Sequence, residues 1–220
     1  MFKLIWQKKF LIIVLVLLVA LLPIAMTRES VVLSKTLLTA IGIDKQGDEY
    51  TVYGEHFIFN FDPFGVMERE MVDGSGATVE DALADIGRKL GKRVSLTHCT
   101  VMILGKGLTE ESLVPILKPF LLKPQLSNTC TLFYTESDVG SLLETSIEIG
   151  DARSGRLQVI AEFNRKQNDF KSTHIERFLR DSMGRRGIAK IAIIAEEDGE
   201  IINEGEYAVF LHGQLTTPAQ

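Results

Sequence analysis

The stretch "VSLTHCTVMILG", residues 94–105, decides how the rest of the chain is read. Val94, Leu96, Val101, Met102, Ile103 and Leu104 make it apolar and β-rich, and Gly105 closes it. That is the pattern of a strand buried on both faces. His98 and Cys99 stand side by side within it, the usual ingredients of a nucleophilic or metal site. In an extended strand, however, adjacent side chains point to opposite faces, so these two do not meet. The stretch therefore reads as a core strand carrying a hydrogen-bonded histidine and a buried thiol.

Upstream lies "ATVEDALADIGRKLG", residues 77–91. Thr78 suits an N-cap with Asp81 three residues on, and Gly91 suits a C-cap. Val79, Ala82, Leu83, Ile86 and Leu90 recur at helical spacing. Downstream, "LTEESLVPILKPFLL" predicts a helix capped by Thr109, which Pro115 and Pro119 are expected to kink or split. Residues 35–59 read as a hairpin about the turn "DKQGDEY", with Gly47 free to take positive φ and Asp44 bonding local amides.

"NTCTLFYT" is a further strand, followed by a short helix with Ser137 as cap. Residues 150–171 read as a long loop containing a strand in "LQVIAEF". "STHIERFLRDSM" then predicts a helix, and "IAKIAIIAE" and "YAVFLHG" predict strands about an "EDGE" turn. The alternation implies an α/β (α+β-like) fold, a mixed β-sheet packed with helices.

The N-terminus has a different character. Lys3, Lys8 and Lys9 precede the apolar run "FLIIVLVLLVALLPIAM", residues 10–26. At about 1.5 Å per residue it covers about 25 Å, the short end for a membrane span. It reads as a retained anchor or a cleaved signal peptide, and either way the lysines orient the rest outward. The expected organisation is a basic start (1–9), an anchor or signal (10–27) and an α/β domain (28–150). Residues 151–220 then complete the sheet or begin a second domain.

The chain carries 24 Lys+Arg against 29 Asp+Glu, a net charge of −5. Without the three N-terminal lysines the balance is 21 against 29, or −8. That acidity opposes a nucleic-acid partner. His56, His174 and His212 show no metal spacing, and neither HExxH nor GxSxG occurs. "GKGLTEES" only superficially suggests a phosphate loop. The residues thus assign no catalytic, cofactor or metal site. Cys99 and Cys130, in separate expected strands, permit a disulfide if those strands are neighbours.

An ordered series of segments resembles the Ger(x)C family, the C subunits of bacterial spore germinant receptors. "LLTAIGIDKQGDEYTV" resembles its first hairpin. "GATVEDALADIGRKLGKRVSLTHCTVMILGKGLTEESLVPILKPFLLKPQLSNTCTLFYTE" resembles its helix, histidine-bearing strand and following helix–strand. "SDVGSLLE" is similar to the next short helix, and "EGEYAVFLHGQL" to the strand opening the family's second domain. Gly42, Asp44, His98 and Gly105 match the family pattern by position. No lipobox cysteine follows the apolar run, and family members are much longer, so the chain reads as a shortened relative, a fragment or a diverged form.

The resemblance implies a non-enzymatic, extracytoplasmic subunit held at the membrane beside integral membrane receptor subunits in nutrient sensing. Two other readings stand beside it. One is an exported module binding a small ligand or envelope component. The other is an exported hydrolase using His98, which needs a carboxylate, Ser or Cys within about 3 Å of the imidazole.

Overall fold

The computed structural model describes residues 35–59, 67–122, 126, 130–148, 155–166 and 173–216. The apolar run at residues 10–26 lies outside them. Among the described residues no helix is long and apolar enough to cross a membrane.

The first hairpin forms as expected: β1 (Lys35–Gln46) and β2 (Glu49–Phe59) turn at Gly47, whose φ is 61°. A third strand, β3 (Met67–Gly76), follows antiparallel to β2. Its charged sequence, "MEREMVDGSG", hides it from a hydrophobic pattern, because an edge strand has less core to face. Helix α1 (Val79–Leu90) is as the spacing predicts. Thr78 Oγ1 accepts from Asp81 N at 3.1 Å and donates to Asp81 Oδ2 at 2.7 Å, and Gly91 closes the helix in the left-handed conformation.

The stretch 94–105 is not one strand. It divides into β4 (Arg93–Ser95) and β5 (Val101–Gly105), joined by a turn in which Cys99 N donates to Leu96 O at 3.0 Å. Thr97 and His98 occupy the corner and are exposed, while Leu96 and Cys99 on either side are buried. The reason is local. Ser95, Thr97 and Thr100 interrupt the apolar run, and two buried anchors hold a turn as well as a strand would.

Helix α2 (Leu113–Leu122) begins four residues after Thr109, which lies in the turn following a short 3-10 segment, Lys106–Leu108. Ser112 Oγ accepts from Val114 N at 3.3 Å instead. Pro115 falls in the first turn, where no intrahelical donor is needed, and Pro119 sits within the continuous helix. Strand β6 (Thr131–Thr135) leads into α3 (Val139–Glu148), capped by Asp138 rather than Ser137: Asp138 Oδ1 accepts from Ser141 N at 2.8 Å.

"LQVIAEF" is part of a helix, α4 (Arg156–Lys166), not a strand. Leu157 and Ala161 are buried with Ile160 packed beside them, whereas Val159 and Phe163, which alternation would bury, are exposed. Burial follows the helical period, so the β-branched composition was misleading. The chain continues through β7 (Thr173–His174), α5 (Ile175–Met183), β8 (Ile188–Glu197), β9 (Glu200–Leu211) and β10 (Gln214–Thr216).

The ten strands of the described residues form one mixed sheet, ordered β10-β9-β8-β6-β5-β1-β2-β3, with β4 beside β1 and β7 beside β6. The central β1, β5, β6 and β8 are parallel to their neighbours in that series, and antiparallel hairpins flank them. β8 and β9 thus extend the same sheet as β1. Along β5, Met102 and Leu104 face an apolar layer with α1, α2 and α5, while Val101 and Ile103 face another with α3 and α4. The result is a sheet covered on both faces, as parallel strands require.

Candidate functional site

In open α/β sheets the place to look is the carboxyl edge of the parallel strands. Here that edge holds Asp44 at the end of β1, Gly105 at the end of β5, Thr135 at the end of β6 and Glu196 near the end of β8. Asp44 Oδ1 accepts from Lys45 N at 2.8 Å and from Gly107 N at 2.9 Å. One carboxylate thereby ties β1 to the turn after β5, across 63 residues of chain. The "GKG" at 105–107 is that structural turn, not a phosphate cradle.

The glycines are there because nothing else fits. A Cβ on Gly105 would lie 2.5 Å from Asp44 Cγ and 2.7 Å from Val139 Cγ2. One on Gly42 would run into Val139 Cγ1. Gly42 and Gly105 therefore both lie against Val139, the first residue of α3, with Asp44 beside Gly105. Sequence reasoning did not single out Val139 or Gly107, because only the fold places them there.

Around this knot the polar groups also bind one another. Lys45 Nζ lies 2.8 Å from Glu111 Oε1, which also accepts from Tyr50 OH at 2.8 Å. The hydrogen bond from Lys45 holds the Glu111 carboxyl below its usual range and raises Lys45 in turn. Ser141 Oγ donates to Glu196 Oε2 at 2.7 Å, and Glu196 N to Ser137 Oγ at 3.4 Å. Tyr53 stands beside Gly140, its phenol raised first by burial and then by Asp138 and Asp44.

His98 is at the other end of the sheet. It precedes β5, so the length of that strand, roughly 15 Å, separates it from Gly105. It is exposed, with no carboxylate, hydroxyl or thiol partner among the described residues, and the hydrolase reading has no geometry behind it. Cys99 and Cys130 do meet: both are buried thiols, with sulfurs 4.0 Å apart. His174 Nδ1 lies 3.3 Å from Cys130 O. Among the described residues no three His, Cys, Asp or Glu side chains gather as metal ligands would.

A second polar cluster was not legible in the sequence. Glu55 on β2 is fully buried and pairs with Arg69 Nη1 on β3 at 3.1 Å, while Gln158 Nε2 on α4 donates to its other oxygen at 2.9 Å. Gly155 packs against all three side chains. The charges lie on separate elements with no fixed spacing, so no local pattern announces them.

Fold and site together define an α/β domain in which Asp44 and the glycines beside it hold strand ends together. Residues 34–195 match the family model described as the spore germination protein N-terminal domain. The chain belongs to that family, and the domain is a non-enzymatic one of the germinant-receptor kind. No curated protein and no solved structure gives a significant match.

Proposed function

We propose that the chain is an extracytoplasmic, membrane-held subunit of a nutrient germinant receptor or a related sensing complex, and that it acts by binding integral membrane partners. The observation that carries this reading is the family match across residues 34–195. The basic start and apolar run at residues 3–26 support attachment, and the acidic remainder suits an exposed domain. Attachment raises the concentration of the domain beside its partners, so modest contacts suffice. The knot at the carboxyl edge supports a binding role as well, since Asp44 is already committed to two backbone amides.

The test uses the full-length chain, tagged and crosslinked in native membranes of its host. The expected result is recovery of the same polytopic receptor subunits in fixed ratio, with loss of the nutrient response in spores lacking the gene. A chain that extracts alone, from a host whose spores respond normally without it, overturns the proposal.

A further inference from the structure

Cys99 and Cys130 lie at the amino ends of two neighbouring parallel strands. The register pairs Val101 with Thr131, and Thr131 N donates to Thr100 O at 2.8 Å, so the backbone beside both cysteines is fixed. Cys130 stands opposite Thr100, one residue from Cys99. Cys99 itself lies in the turn that enters β5, which turns its side chain to the face that Cys130 also occupies. Both side chains enter the same apolar layer, and their sulfurs are 4.0 Å apart.

We propose that Cys99 and Cys130 are a built disulfide site, closed when the domain folds in the presence of a disulfide oxidant of the glutathione or thiol-oxidase class. One cysteine thiolate attacks the oxidant's disulfide and expels one thiolate. The second cysteine thiolate then attacks the mixed disulfide and expels the other. The pair loses two protons and two electrons, and the oxidant is reduced to two thiols.

Timing follows from burial. Cys99 is 0% and Cys130 1% exposed, so an oxidant does not reach them in the folded state. The Cys99 sulfur and burial also push the Cys130 thiol well above its usual range, which disfavours the attacking thiolate. The bridge therefore forms during folding or not at all. A domain folded in reducing surroundings remains a stable dithiol. Once made, the bridge staples the start of β5 to the start of β6 and restrains the turn that presents His98.

The experiment takes the full-length chain in detergent, reduces it, opens it with urea and returns it to a glutathione redox buffer. Thiols are then counted by alkylation and mass under denaturing conditions. The expected product has lost two hydrogens relative to the reduced chain, has no free thiol, and melts about 5–10 °C higher than the reduced form. The folded reduced chain should react with a thiol reagent only after denaturant is added. Cys99→Ser and Cys130→Ser should each form no internal bridge, with a melting temperature indifferent to the redox buffer. Two free thiols after oxidative refolding, glutathione adducts in place of a bridge, or a bridged form that melts lower than the reduced one would each overturn the proposal.

Discussion

Asp44 shows how much one side chain can decide. Its Oδ1 serves two backbone amides, one adjacent and one on the turn after β5. Asp44→Ala leaves both without that acceptor and should cost about 1–3 kcal/mol in urea unfolding. Asp44→Asn keeps an oxygen in place and should recover at least half of the loss. If the two substitutions are equally damaging, the charge rather than the hydrogen bonding matters. Gly105 makes the complementary point, since what counts there is an absent atom. Gly105→Ala drives a methyl into Asp44 and Val139 and should cost about 2–3 kcal/mol, read by thermal or urea melts. Gly91→Ala, at a left-handed position with open space around it, tests backbone strain without that collision.

Among the elements, α4 is held differently from the rest. Only Leu157 and Ala161 are buried in its described part, and Gln158 anchors it to the Glu55–Arg69 pair beneath. A buried ion pair adds little over an apolar one, but breaking it strands a charge. Glu55→Ala should therefore cost about 3–5 kcal/mol, with amide exchange accelerated first in α4 and along β2–β3. Uniform acceleration across all helices would show that the pair does not hold α4 specifically. Helix α1 is the contrasting case, because its cap, charge pattern and apolar face are all local. That is why α1 is legible residue by residue, while the composition of α4 suggests a strand and the cap expected at Thr109 starts α2 three residues early. Capping by Asp138 and Ser112 depends on chain paths that adjacent, equally suitable residues do not reveal.

For the molecule as a whole, alkaline pH should be the more revealing stress. Burial, followed by the nearby negative charges of Glu136 and Asp44, pushes the Tyr134 phenol up to about 12. A raised pKa means that the unfolded chain ionises first. The contribution of Tyr134 is thus complete below its ordinary value of 10.0 and lost as pH rises toward 12. At that limit the loss is at most about 3 kcal/mol, and Tyr134→Phe should flatten this part of the pH–stability curve. The Lys45–Glu111 pair works in the opposite sense at acid pH, where the lowered Glu111 carboxyl loses its contribution below about 4.5. That pair is partly exposed and should move the melting temperature far less. By itself the sequence determined the mixed strand-and-helix class, the caps of α1, the first hairpin and the family, because these rest on periodicity and on short-range bonding. Only the tertiary structure decided that Gly42 and Gly105 close on Val139 and that Glu55 pairs with Arg69. These depend on which distant segments become neighbours, and strand order across a sheet is set by packing that no local pattern encodes.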